Sequence, residues 1–474
     1  MVEDSASTPL LGGESGSAII VLEDASGPGW GPPPQEGATL FQATFNMVNI
    51  FMGIGLLSMP FAMKQGGWVG MAALTVATAV FCLSGKLIVR NFEKMPPDTS
   101  HTYPALGELA LGPPGRFLVG FLALTEFFGG SCIMLVVIWR EFLGMLPEHH
   151  GLVMGLSPFH FSVVVCTLAT APLMFIPSFK KLSWLSMLGC ISTVLVTITV
   201  LAAVAMDPFR QHQPIQPPAG HDVARWGIFE SMGIFAVSVS GHSSLPVLRN
   251  SMKQPRAFDK VINLAFTAML VIYAIVAGLG YYYFGDAAST LITDDLARNS
   301  PFTGHSILIP GFTVDKLVAL CILVNAYTTY PCLILVIQDM MWSVLPFLEQ
   351  YGGTRQPRRM VATGVRLLLF VAGTCIAFLA YAILGNVMSL VGGFASISCS
   401  LLMPSLFYLI LFWKELGILH RTGVVVLLVV GTALLVLIVG QNVIDIAQKV
   451  DHDDKGVKLA QSATSLLGRL VEGL

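Results

Sequence analysis

Between Leu367 and Trp413 the sequence contains no Asp, Glu, Lys or Arg, and comparable charge-free apolar stretches recur along the chain. About 20 apolar residues, each rising about 1.5 Å in a helix, cross a hydrocarbon layer about 30 Å thick. Eleven stretches meet that length, near residues 41–63, 67–87, 117–140, 159–177, 184–206, 227–248, 260–284, 314–338, 365–384, 387–412 and 422–443. The ninth and tenth divide the run that starts at Leu367, too long for one crossing, at Gly385-Asn386. Inside a bilayer every backbone amide and carbonyl needs an internal partner, which leaves helices or closed barrels; uniformly apolar runs of this length are helical. The expected fold class is therefore an all-α integral membrane protein.

Composition supports the same solvent. Charged residues make up 11% of the 474 positions and hydrophobic ones 54%, with a mean hydropathy of +0.74. A water-soluble domain carries about 25% charged residues, so this chain lacks the polar shell that water requires. The net charge of -2 and the absence of a long basic run exclude nucleic acid as a partner. All eight cysteines fall in apolar runs and none forms a CxxC pair, so neither a metal site nor a disulfide framework is expected. No cofactor is called for.

Residues 1–39 hold no Lys or Arg and no apolar stretch longer than Ala18 to Leu22, which excludes a cleavable signal peptide and reads as a disordered acidic tail. Residues 40–444 form the membrane domain and 445–474 a second tail. Basic residues in short loops set orientation. Sixteen lie in the loops on the amino-terminal side and six in the opposite loops. The amino terminus is thus expected in the cytoplasm and the carboxyl terminus on the far side. Trp68, Trp139, Trp184, Trp226, Trp342 and Trp413 lie near predicted span ends, where amphipathic indoles anchor.

Two stretches are interrupted. The first carries Asn46, Asn49, Gly53, Gly55 and Pro60, and the sixth carries Ser238, Ser240, Gly241, His242, Ser243, Ser244 and Pro246. Glycine permits unwinding and proline removes a donor. Small residues also mediate close helix contact, but two breaks in corresponding places favour unwinding. The first five stretches and the next five would run in opposite directions, each set opening with a broken helix. This is the pattern of a 5+5 inverted-repeat secondary transporter with one extra helix. Freed amides at such breaks hold a carboxylate and freed carbonyls an ammonium or cation, a match for a zwitterionic amino acid.

From Thr44 to Gly440 the chain resembles the amino acid/auxin permease family, in particular its vacuolar amino acid transporter and vesicular inhibitory amino acid transporter branches. The resemblance is carried by Asn49 to Pro60 with Gly53-Ile54-Gly55, by Phe61 to Trp68, by His101-Thr102-Tyr103-Pro104, and by Gly241 to Pro246 leading into Ser251-Met252-Lys253-Gln254-Pro255. It implies eleven spans, amino-acid transport coupled to protons or, in some branches, sodium, and substrate binding on the first and sixth helices. The substrate-binding positions are then Gly53, Ile54, Gly55, Leu56, Ser240, Gly241, His242 and Ser243. Asn49, Thr328 and Thr329 resemble the cation-site positions of sodium-coupled relatives; a polar contact between helices is the other reading of these neutral oxygens.

Glu126 is the single acid in the middle of a predicted span. An ionised carboxylate in hydrocarbon is costly, so this one faces the bundle interior. It is either a proton carrier or a protonated acid held by hydrogen bonds. His242, at the second break, is either a second proton carrier, since free imidazole titrates near pH 6.5 or so, or a neutral cap on freed backbone. Asp294-Asp295 lies in the connection between the seventh and eighth stretches, as a gate or as a solvated loop.

A transporter of neutral amino acids, driven by protons or alternatively by sodium, is the expected function. A sensor built on the same scaffold is the rival; an ion channel is a more distant one. No HExxH, GxSxG or P-loop supports an enzyme. A vacuolar or lysosomal-type membrane is favoured over the plasma membrane, from the resemblance and from a loosely dileucine-like Thr8-Pro9-Leu10-Leu11.

Overall fold

The computed structural model describes residues 38–52, 54–96, 101–146, 155–175, 188–189, 191–199, 201–202, 221–250, 252–299, 314–345 and 356–452. The acidic tail up to residue 37, Gly53, most of the fifth stretch and residues 453–474 lie outside them, as do the side chains of Asn49 and Ile54. Among the described residues there is no strand, and a lone bridge joins Ala38 to Met252. Among the described residues, seven helical stretches are long and apolar enough to cross a membrane: Val69–Phe92, Pro113–Met145, Pro158–Phe175, Pro255–Ala287, Lys316–Val344, Met360–Leu411 and Ile418–Gln448.

Helix starts follow local chemistry. Helix α1 (Leu40–Phe51) opens on a capping box in which Thr39 and Gln42 exchange side-chain and backbone bonds. It is followed by α2 (Met59–Gly66), α3 (Val69–Phe92) and the short α4 (Tyr103–Leu111), whose first turn Thr102 caps. Helix α5 (Pro113–Met145) begins on two prolines, and α6 (Pro158–Thr170) on Ser157-Pro158. Proline at the first turn forfeits an amide that would have had no helical partner. After the helical residues 191–199 come α7 (Ile228–Ser238), α8 (Leu245–Asn250), α9 (Phe258–Phe284) and α10 (Ile292–Asn299). The remainder comprises α11 (Val314–Val344), α12 (Gln356–Ala380), α13 (Leu384–Val391), α14 (Met403–Leu411) and α15 (Ile418–His452).

Burial separates the centre from the rim. Helix α5 is 67% buried over its most apolar window and packs against α4, α6, α11, α12 and α13, whereas α15 is 11% buried. The outward side chains of α15, including Val429, Val436 and Leu437, are apolar, as lipid requires. The long run at the ninth and tenth stretches turns at Tyr381–Ile383, just before the expected Gly385-Asn386, where Ile383 leaves helical geometry with φ -117° and ψ 33°. Trp139 is fully buried in the body, while Trp226 and Trp413 are exposed.

The tenth stretch holds a feature with no counterpart in the sequence reading. Between α13 and α14 the helix widens into π-helical turns at Gly392–Ser396 and Ser398–Leu402. Such turns shift the hydrogen-bond register and leave carbonyls to outside donors. The hydroxyls of Ser84 and Tyr103 take the carbonyls of Ser400 and Cys399 at 2.6 and 2.5 Å.

Candidate functional site

The two interrupted helices meet at their breaks. Helix α1 ends at Phe51, and Met52 bends away with ψ 53° before a 3-10 turn, Ile54–Ser58, leads into α2. Helix α7 ends at Ser238; Val239 to Gly241 are non-helical, and a 3-10 turn over His242–Ser244 leads into α8. Gly241 sits at φ +126°, a conformation other residues avoid. A side chain on Gly55 would place its Cβ 2.0 Å from the Ser238 Oγ and 2.8 Å from the Ser238 Cα. The first break therefore presses directly on the second.

Carbonyls freed at the breaks find new donors. The buried Tyr273 hydroxyl of α9 donates to the Ser238 carbonyl at 2.8 Å and faces the Phe51 carbonyl at 3.4 Å. Ser240 and Ser244 donate to the carbonyls of Val237 and Gly241 at 3.0 and 2.7 Å. His242 is fully buried among the rings of Phe51, Phe81 and Phe266, and its Nε2 lies 2.8 Å from the Phe81 carbonyl.

Glu126, halfway along α5, is buried and points at the π-helical turns. The Ser400 hydroxyl donates to its Oε1 at 3.3 Å, and Ser240, Ser396 and Cys399 lie nearby. Ser396 in turn donates to the Ser240 hydroxyl at 2.9 Å. The acid and the second break thus belong to one polar cluster. Backbone contact fixes this arrangement: a Cβ on Gly392 would fall 1.8 Å from the Gly233 carbonyl oxygen.

On the other side of the first break, Leu56 and Leu57 border a cavity of about 20 Å³ together with Met134, Val137, Val196, Ile322 and Ala326, with Thr193 and Asn325 as polar members. That is room for about one water molecule, so the arrangement is closed to a solute. Thr328 and Thr329 both donate to the Asn325 carbonyl on their own helix, at 2.8 and 2.9 Å. The Asn325 amide crosses to Gly189 and Thr193 at 2.8 and 3.3 Å, linking α11 to the fifth stretch. Of the sequence-derived candidates, the structure gathers Gly55, Ser240, Gly241, His242, Ser243 and Glu126 around the breaks, with Leu56 on the cavity side. Thr328 and Thr329 are tied to Asn325, which borders the same cavity as Leu56.

The segment after α9 closes over this region. Helix α10 packs on α2, on α11 and on the 3-10 turn of the first break. Asp295, at 1% exposure, corrects the solvated-loop reading: both carboxylate oxygens accept the Ser289 amide, at 3.0 and 2.9 Å, because the loop folds back on itself. Burial pushes the Asp295 carboxyl up to about 6, against the Ser289 hydrogen bonds and nearby Lys64, which lower it. Thr293 donates to the buried Glu141 of α5 at 2.6 Å, Arg140 lies 4.0 Å from Asp294, and Lys64 donates to the Ala288 carbonyl at 2.9 Å.

Sequence reasoning missed Tyr273, Glu141 and the serines of the π-helical turns. Ser396, Ser398 and Ser400 carried a signal, small polar residues closely spaced after Gly392-Gly393 in an otherwise apolar run. Tyr273 carried none, since nothing in its own sequence neighbourhood announces two distant carbonyls.

Two solved membrane transporters share this fold. A manganese transporter of Eremococcus coleocola, mutant H236A, aligns over 94% of this chain and 99% of its own with a TM-score of 0.54 at 12% identity. A Na+-coupled sialic acid symporter in a substrate-bound outward-open state aligns over 85% and 88% with a TM-score of 0.52 at 13% identity. These likenesses, at 12 and 13% identity, are likenesses of fold. Residues 36–444 match the family described as transmembrane amino acid transporter protein, and the chain belongs to that family. Amino acid transporter AVT1E of Arabidopsis thaliana is 28% identical over 80% of this chain and 68% of its own length. Amino acid transporter AVT1J of the same plant is 27% identical over 86% and 90%, and the vesicular inhibitory amino acid transporter of Mus musculus 24% over 80% and 70%.

Proposed function

We propose that this protein moves neutral amino acids across its membrane by alternating access, driven by a proton gradient, with Glu126 as the proton carrier. The observation that carries the proposal is the junction of the two breaks, where freed backbone groups of both helices converge beside a buried carboxyl group. Converging half-helix ends suit the two charges of an amino acid, and an acid that reaches the second break through Ser240 can sense whether that break is occupied. Uncharged surroundings favour neutral side chains, since the polar members of the adjoining cavity are Thr193 and Asn325.

The architecture that goes with this reading is an eleven-span protein with a 5+5 inverted-repeat core and one further helix. Beside the seven long stretches stand the two broken helices, the fifth stretch and the division at Tyr381–Ile383. The bias of basic loop residues favours a cytoplasmic amino terminus. A vacuolar or vesicle-type membrane agrees with the resemblance and with the name of the mouse relative. Helix α10 is the gate over the first break. His242 is a packing residue in this scheme, buried against three aromatic rings with Nε2 on a backbone carbonyl.

Sodium coupling through Asn49, Thr328 and Thr329 is the alternative, and the two threonines weaken it because their hydroxyls are turned onto their own helix. The test is uptake of labelled neutral amino acids into proteoliposomes with imposed proton or sodium gradients. Accumulation should follow the pH gradient and ignore sodium. Uptake that follows sodium alone overturns the proton assignment, and specific binding without uptake identifies a sensor.

A further inference from the structure

Resting on the reading that an amino acid binds at the breaks, we infer that the Tyr273 hydroxyl occupies the ammonium position of the empty site and must yield it to the substrate. The two carbonyls that this hydroxyl faces, Phe51 and Ser238, are the last of α1 and α7. Each is a helix C-terminus, with unsatisfied carbonyls and the negative end of the helix dipole. Two such ends converging on one buried point make a site for positive charge or for a proton donor. In this closed arrangement the donor is Tyr273, which is 0% exposed; its single proton goes to the Ser238 carbonyl at 2.8 Å, with the Phe51 carbonyl 3.4 Å away.

Room for an ammonium is scarce here: Gly55 and Ser238 are in van der Waals contact, and the cavity bordered by Leu56 and Leu57 has about 20 Å³, space for about one water molecule. A primary ammonium carries three N–H donors and a full charge, so it satisfies both carbonyls at once, which the single hydroxyl proton cannot do. Tyr273 then acts as a placeholder. It keeps the freed carbonyls paired while the site is empty, and it sets a threshold that ligands without an amino group fail to cross.

The placeholder predicts that removing the hydroxyl improves apparent affinity. In Tyr273→Phe the empty site holds unpaired buried carbonyls, a cost relieved when ammonium binds. One hydrogen bond of ordinary net strength corresponds to a KM lower by about two- to tenfold. The experiment measures KM and maximal rate in proteoliposomes with radiolabelled glycine, L-alanine and L-leucine. Propionate, the alanine skeleton without its amino group, serves as a competitor. The wild type should ignore propionate, and Tyr273→Phe should lower KM for the amino acids. Installing 3-fluorotyrosine at the same position is the second variant, with nearly unchanged shape and a more acidic, more strongly donating hydroxyl, and it should raise KM. A residue that merely packs would not move KM in opposite directions in these two proteins.

If Tyr273→Phe leaves KM unchanged or raises it while the wild type transports, the placeholder role is wrong. If Tyr273→Phe does not fold, the fluorinated protein decides: an unchanged or lower KM refutes the inference. Failure of the wild type to take up any of the three amino acids would instead remove the substrate reading underneath.

Discussion

A buried carboxyl group in a membrane protein is maintained against a large solvation cost, and the Ser400 hydroxyl that donates to Glu126 can serve it either as a donor or as an acceptor. Glu126→Gln keeps the shape and the hydrogen-bonding capacity but cannot release a proton. Uptake driven by a pH gradient should fall by at least tenfold in that variant while exchange of amino acid for amino acid persists. Full gradient-driven uptake would remove Glu126 from the mechanism. At His242 the expectation is the reverse. His242→Gln should lower the melting temperature, because a fully buried ring loses three aromatic contacts, and should leave the pH dependence of uptake intact. A shifted pH profile would return His242 to the list of proton carriers.

At the scale of elements, the glycines at the breaks do more than permit bending. Gly55→Ala drives a methyl group into Ser238 and should destabilise the protein by about 1–3 kcal/mol, the usual cost of overpacking. Adding Ser238→Gly removes the Oγ and Cβ but leaves the Cα at 2.8 Å, so a double-mutant cycle on melting temperature should show partial rescue. Full additivity would mean that the two breaks do not touch. The π-helical turns allow a sharper experiment. Each widened turn holds a residue beyond the α-helical count, so deleting Ile397 should bring the tenth stretch toward α geometry and rotate Ser400 away from Glu126 by about 100°. Pairing of the breaks was legible in the sequence because glycine, proline and serine stand out against Leu and Val. The π-helical turns were not, since their register depends on contacts such as Gly392 against Gly233, which are far apart in the chain. Glu126 was legible as a lone acid, but the serines around it come from the sixth and tenth stretches, far from it in the chain. For Asp295 the sequence left a choice between gate and solvated loop, because folding of the loop onto its own Ser289 amide is a tertiary fact.

For the whole molecule, the packing of α10 on the first break brings Asp295 into play. Burial holds the Asp295 carboxyl near 6, above the range of about 4 expected in an unfolded chain. The folded protein therefore binds that proton more tightly. Its stabilising contribution is complete below about pH 4 and is lost as the pH rises through about 6. Asp294, Arg140, Glu141 and Lys64 face the same loop, so the comparison that isolates Asp295 is with Asp295→Asn, which accepts the Ser289 amide without ionising. The wild type should lose more melting temperature between pH 5 and pH 7 than this variant does; equal losses would assign the effect to another group. The contact between Gly55 and Ser238 also constrains how the molecule can move. Two hinges that share a surface and a common hydroxyl clasp are kinematically one joint, so bending either one drags the other. A transporter built this way has few conformations in which both ends are open together. Tightness against leak is then a property of the linkage, independent of any gate residue.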